Sequence, residues 1–289
     1  MWVNWNGALQ LQEAIAFDSR DRGYLLGDGL FETIRYYPSL QNPLPLLTRH
    51  WQRLSQSAEA LGLPLPVDSA RLQQDILKTI TANGFMADNV RIRITLSRGP
   101  APSGLQPVSL SQSTLLITTE PFSPSQQAIS VYIANTRRNE QSLSARLKSL
   151  SYIDNLLARR EAAQKGADEA VMCNTRATVA GGSCHNLFMV ANDTLVTPPI
   201  DDGALPGVTR SLIIDLCQAV GIPLVEQSIS CKALYNASEV FLSNALHGIR
   251  PVSTLDNKMW LVGSYTQKLM DYYTQWLIDE NSKLRSIIS

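Results

Sequence analysis

The chain has 289 residues, 44% of them apolar and 17% charged, enough for two domains of ordinary size and too apolar for extended disorder. Lys plus Arg equals Asp plus Glu at 25 each, so no global field favours nucleic acid or a membrane surface. No apolar run approaches the roughly 20 residues that span a bilayer. The start, MWVNWNGALQLQ, lacks a basic head followed by an apolar stretch, so a cytoplasmic protein without a signal peptide is expected.

In chain order, VNWNG reads as a strand ending in an Asn-Gly turn, and LFETIRYY (Leu30 to Tyr37) as a strand rich in aromatic and β-branched residues. TRHWQRLSQSAEALGLP predicts a helix capped by Thr48 and stopped by Gly62 and Pro64, with Trp51, Leu54, Ala58 and Leu61 on one face. DSARLQQDILKTITANG predicts a second helix, capped by Asp68 or Ser69 and closed by Gly84. VRIRITLSRG and STLLITTE read as strands, and EPFSPSQQ as a linker. ISVYIA follows as a strand. The region of Lys148 then leads into an amphipathic helix through about Lys165. EAVMC, NLFMV and TLVTP are short strands, GVTRSLIIDLCQAVG is a helix, EVFLSNALHGIRPVSTL is strand, turn and strand, and GSYTQKLMDYYTQWLIDENSKL closes the chain as a helix. The pattern predicts two α+β domains, 1–122 and 123–289, with Lys148 in the second.

Cys173, Cys184, Cys217 and Cys231 show no C-x-x-C pairing, and there are only three histidines. No metal site is expected, and the cysteines read as buried, reduced thiols.

Three stretches offer chemistry. At Gly207-Val208-Thr209 a helix opens with unpartnered backbone N–H groups and a hydroxyl, which suits an anion; an ordinary glycine-started helix is the alternative. His50 and Arg53 lie three apart on one helix face, where Arg53 could grip a phosphate or both could simply face water. Lys148, flanked by Leu147, Leu150 and Tyr152, has the apolar surroundings that lower an amine's pKa and let it attack a carbonyl; most lysines are merely solvated.

In order along the chain, DRGYLLGDGLFETIR, RHWQRLSQSAEALG, KSLSYIDNLLARREAAQKGADEA, GSCHNLF, LPGVTR and SNALHGIRPV together resemble the class IV aminotransferases. That group holds branched-chain and D-amino acid aminotransferases and aminodeoxychorismate lyase. The resemblance implies a two-domain, fold-type IV architecture like that of D-amino acid aminotransferase, and pyridoxal 5′-phosphate held as an imine on Lys148. It assigns Arg53, Val208 and Thr209 to the phosphate and places Tyr152 near the ring hydroxyl. It puts Gly181 and Asn186 around the cofactor, and Asn244 and Ala245 in a loop beside the phosphate. A homodimer acting on a small-molecule substrate is implied. Arg91, Arg93 or Arg98 would take a substrate carboxylate, and strand alternation lets only Arg91 and Arg93 share a face.

Three positions depart from the family's pattern: Gly181 stands where relatives carry a glutamate for the pyridine nitrogen, Ala245 where many carry a hydroxyl, and Ser103 where an arginine is frequent. The nearest acids, Asp168, Glu169 and Asp193, would reach the ring only by folding back. Loss of the acid weakens the cofactor as an electron sink. An elimination that gains an aromatic product depends on that sink less than transamination does. The expectation is therefore a lyase that releases pyruvate from 4-amino-4-deoxychorismate and gives 4-aminobenzoate for folate synthesis. The alternatives are a D-amino acid or branched-chain aminotransferase, and a non-catalytic relative.

Overall fold

The computed structural model describes residues 1–102, 104–106 and 112–278. Ser103, and the last residues of the expected closing helix, lie outside the described residues. The chain forms two compact units, Met1–Pro124 with Leu147–Ser151, and Ser125–Arg146 with the residues from Tyr152 onward.

The first unit is built on a five-stranded sheet, β1 (Trp2–Trp5), β2 (Ala8–Leu11), β3 (Gly29–Tyr36), β4 (Val90–Ser97) and β5 (Thr114–Pro121), in the order β2-β1-β5-β4-β3. All its pairings are antiparallel. Alternation decides the faces: Val90, Ile92 and Ile94 of β4 are buried, while Arg91 and Arg93 point out. A short helix α1 (Arg22–Leu26) is capped by the Asp21 side chain, which accepts from the N–H groups of Gly23 and Tyr24. Helices α2 (Leu47–Ala60) and α3 (Ser69–Ala82) cover the sheet, burying Leu54, Ala58, Leu72, Ile76 and Ile80 in one core with β3 to β5. Asp68 caps α3 by accepting from Arg71 N–H. Helix α2 begins one residue before the expected cap, Thr48, and has no side-chain cap.

The second unit holds a mixed sheet of β6 (Ile129–Ile133), β7 (Glu169–Cys173), β8 (Val179–Gly182), β9 (Asn186–Ala191), β10 (Thr194–Thr197), β11 (Leu224–Glu226), β12 (Glu239–Asn244) and β13 (Gly248–Leu255). Its order is β11-β10-β9-β12-β13-β6-β7-β8, with the two-residue β14 (Lys258–Met259) paired to β13. All five residues of β7 are buried, as expected of an apolar run covered on both faces. Phe188 and Phe241 sit opposite each other on β9 and β12 and stack with centroids 4.9 Å apart. Helices α4 (Ile153–Gln164), α5 (Val208–Val220), α6 (Cys231–Asn236) and α7 (Ser264–Ile278) complete the unit.

Three expectations need correction. The segment Leu147–Ser151 packs with the first unit, so Lys148 is carried there and not by the C-terminal unit. The reason is backbone pairing with β3, described below. Helix α4 does not bury its large apolar residues: Ile153 and Leu156 are 64% and 60% exposed, and Ala158 and Ala162 pack inward instead. Small residues let the helix lie close on β7, so its apolar periodicity was misleading. Of the four cysteines, all free, only Cys173 and Cys217 are buried; Cys184 is exposed and Cys231 half-buried.

Among the described residues, no helix is long and apolar enough to cross a membrane.

Candidate active site

In the first unit the lysine is fixed by its own main chain. Residues 147–151 run antiparallel along β3: Phe31 N–H donates to the Lys148 carbonyl at 2.8 Å, Leu150 N–H to the Gly29 carbonyl at 3.0 Å, and Leu30 lies opposite Ser149. Lys148 is half-buried, and its Nζ lies 4.2 Å from the centroid of the Phe31 ring. The Arg93 guanidinium sits 3.9 Å from the same ring. Phe31 thus gathers two cations. The lysine charge is felt at His50, whose proton affinity it helps to lower.

His50 and Arg53 do meet at one place, and that place is Glu32 of β3. His50 Nδ1–H donates to Glu32 Oε2 at 2.8 Å; Arg53 donates from Nε to Oε1 at 2.7 Å and from Nη2 to Oε2 at 2.6 Å. Burial raises the Glu32 carboxyl, but Arg53 and His50 outweigh it and hold it well below the usual carboxylate range. Burial also dominates at His50 and lowers it, so the ring is a neutral donor. One edge of Arg53 is therefore committed to Glu32.

The three substrate-side arginines separate. Arg91 is exposed and paired with Glu120. Arg98 is clamped, donating to Asp28 at 2.7 Å and to the carbonyls of Leu61 and Gly62 at 2.8 and 2.9 Å. Arg93, on the same face as Arg91, is the one that shares Phe31 with Lys148.

In the second unit, helix α5 opens at a glycine. Gly207 is the N-cap of the 13-residue helix α5 and makes no side-chain cap bond. Thr209 is buried and its Oγ1 has no hydrogen-bond partner; the same holds for Ser243 Oγ on β12. A buried hydroxyl without a partner costs free energy unless a ligand satisfies it. Asn186 donates from Nδ2 to the Leu205 carbonyl at 2.8 Å, and its Oδ1 would lie 1.9 Å from any Cβ placed on Gly207. Tyr152 and Asn155 both donate to the Ser183 carbonyl, at 3.1 and 2.5 Å, which ties the start of α4 to the turn after β8.

Gly181 lies in β8 just ahead of that turn, and its φ of +149° is a conformation that side chains resist. A Cβ there would lie 2.9 Å from the His185 carbonyl oxygen. The departure is thus built into the backbone and is more than a missing side chain. Of the acids nearby in sequence, Asp168 is spent on Ser130, while Glu169 does fold into the turn. It is fully buried, accepts from Ser183 N–H at 3.2 Å, Ser183 Oγ and His185 Nδ1 at 2.6 Å, and is ion-paired with Arg159 Nη1 at 3.0 Å. Burial raises its carboxyl, and His185, Ser183 and Arg159 more than offset this, bringing it to about 2.

The sequence reading singled out neither Glu32 nor the Glu169–His185 pair as part of a site. Its available signals were an acid in each of two apolar strands, LFETIRYY and EAVMC. Cys184 Sγ lies 3.2 Å from Glu169 Oε2, so Glu169, Cys184 and His185 also form a triangle of metal-ligand type. Asn244 argues against a metal there. Its Nδ2 is 2.8 Å from His185 Nε2, and a metal on Nδ1 would force the ring proton onto Nε2, opposite another donor.

The first unit thus carries a half-buried lysine beside an aromatic ring, and the second a helix start with a buried hydroxyl that has no partner. Residues 29–255 match the family model for amino-transferase class IV, and the chain belongs to that family. It is 30% identical over 264 residues to a branched-chain-amino-acid aminotransferase of Escherichia coli, covering 88% of this chain and 85% of that one. The solved branched-chain aminotransferase of Thermoproteus uzoniensis superposes with a TM-score of 0.91 at 29% identity, covering 100% of this chain and 98% of that one. The 4-amino-4-deoxychorismate lyase of Pseudomonas aeruginosa gives a TM-score of 0.82 at 32% identity, over 93% and 97% of the two chains.

The family's cofactor is pyridoxal phosphate. The unsatisfied Thr209 hydroxyl at the start of α5 fits its phosphate, and an amine with the surroundings of Lys148 fits its aldehyde.

Proposed function

We propose that the chain is a pyridoxal-phosphate-dependent lyase that eliminates pyruvate from 4-amino-4-deoxychorismate to give 4-aminobenzoate. The observation that carries this reading is Gly181: its backbone conformation and the nearby His185 carbonyl leave no place for an acid side chain at that position. Pyridoxal phosphate supplies an electron sink for the carbon attached to the amine it binds. Val208 N–H and Thr209 at the α5 start would hold the phosphate, with Arg53 and the Asn244–Ala245 loop contributing; Asn186 would lie beside the cofactor, and Tyr152 near its ring hydroxyl. Lys148 Nζ would hold the cofactor's aldehyde with loss of water and, once released by the substrate's amine, would be the base that removes the substrate's ring proton. Arg93 receives a substrate carboxylate, supported by its place beside Lys148 on Phe31.

An aminotransferase is the second reading, favoured by the likeness to the branched-chain enzymes. A non-catalytic relative is disfavoured by retention of Lys148 and the α5 anion end. A cytoplasmic homodimer belongs to the same proposal, and the exposed Tyr24, Leu25 and Leu26 of α1 support a partner surface.

The test starts with visible absorbance of the protein with pyridoxal phosphate, then borohydride and peptide mapping. Cofactor fixed to the Lys148 peptide, with pyruvate released from aminodeoxychorismate and no amino-group exchange among amino and keto acids, is expected. Exchange without pyruvate release would replace the lyase with the aminotransferase. No fixation at generous cofactor concentration would overturn both.

A further inference from the structure

The turn after β8 and the loop between β12 and β13 are joined by one line of hydrogen bonds. Glu169 accepts from His185 Nδ1 at 2.6 Å, and His185 Nε2 meets Asn244 Nδ2 at 2.8 Å. Asn244 Oδ1 accepts from the N–H groups of Leu246 at 3.1 Å and His247 at 2.9 Å. Those two backbone donors fix which way the Asn244 amide faces, so it presents N–H to the ring. His185 must then be a hydrogen-bond acceptor at Nε2 and a donor at Nδ1, which is the singly protonated ring.

Electrostatics pull the other way. Burial lowers the proton affinity of His185, but Cys184 and Glu169 raise it to about 9. The hydrogen bonds decide, because a second proton would find no acceptor and would break both backbone bonds to Asn244. Arg159 already stands beside Glu169 as its counter-charge, so the carboxylate does not require an imidazolium.

We propose that Glu169, through neutral His185, is a positioning device that sets Asn244 and the 245–247 main chain for the cofactor's phosphate, where Ala245 offers no hydroxyl. This rests on the cofactor role proposed above for that loop.

Nitrogen-15 NMR of the histidines in the cofactor-free protein reads the ring directly. His185 is expected with Nδ1 protonated and Nε2 bare at neutral pH, and Asn244→Asp, which turns a carboxylate oxygen to Nε2, is expected to add the second proton. Cofactor affinity is the second readout. His185→Ala should weaken it by roughly tenfold, the value of one lost hydrogen bond. His185→Gln, whose amide can donate to Glu169 and accept from Asn244, should restore most of it. Borohydride should still fix the cofactor at Lys148 in every variant at saturation. A doubly protonated His185 in the unaltered protein, or unchanged affinity in His185→Ala, overturns the proposal. Failure of the unaltered protein to fix the cofactor overturns instead the reading it rests on.

Discussion

Glu32 and Glu169 are both buried glutamates, and each holds a histidine through Nδ1 and an arginine through its guanidinium. They differ in what lies behind those partners. Arg53 is only 11% exposed and binds Glu32 with two donors, so the first cluster meets water little. Arg159 is 48% exposed, and the ring of His185 hands its second nitrogen on to Asn244. The same three residue types thus make an internal brace in one unit and a connecting relay in the other. Residue identity does not separate these roles; the exposure of the arginine and the far side of the imidazole do.

The largest effect should follow from breaking the brace. Glu32→Ala leaves Arg53 and His50 buried without their shared acceptor, and should cost about 3–5 kcal/mol in urea unfolding. Glu169→Ala should cost less, about 1–3 kcal/mol, because Arg159 can turn to water and the remaining loss is that of unsatisfied donors at Ser183 and His185. Equal costs would mean that the second cluster is also a closed brace, and the comparison would fail.

Acid sharpens the same contrast. Both carboxylates titrate below the ordinary range near 4.5 when folded. Each therefore contributes stability that is present above about pH 4.5 and is lost as pH falls through the folded value. For Glu169 that loss is complete once pH passes about 2, whereas Glu32 keeps its contribution to lower pH. Stability of Glu169→Gln, measured by urea titration from pH 5 down to about 2, should fall less steeply than that of the unaltered chain. A parallel fall would show that Glu169 is not held low.

These clusters also mark where the sequence stopped being legible. Alternation and capping placed Arg91 and Arg93 on one face and narrowed the head of α3 to Asp68 or Ser69, of which Asp68 is the cap. They did not give the location of Lys148, because a five-residue edge pairing with β3 has no periodicity of its own. They misread α4, where alanines do the packing and isoleucine and leucine face out. Gly181 was visible as a departure, but its positive φ was not, and that φ turns a missing side chain into a different backbone. Glu169 could be named only as an acid that might fold back, since the partners that decide its role come from α4, the turn after β8 and, through His185, the end of β12.

The smallest change in stability belongs to the anion end, and there the sign itself is informative. Thr209 Oγ1 is buried without a partner in a helix start that has no side-chain cap. Thr209→Val removes that unsatisfied oxygen at nearly constant shape, so the cofactor-free protein should be unchanged or slightly stabilised, by less than about 1 kcal/mol. The same change deletes a donor to a charged phosphate, typically worth about 1.5–3 kcal/mol, or roughly tenfold to a hundredfold in affinity for pyridoxal phosphate. Thermal unfolding without cofactor and a binding titration with it read the two effects separately. A cofactor-free protein that loses stability would mean that the hydroxyl serves the fold, and an affinity left intact would remove Thr209 from the phosphate. A gain in one with a loss in the other is what a residue kept for a ligand and not for folding must produce.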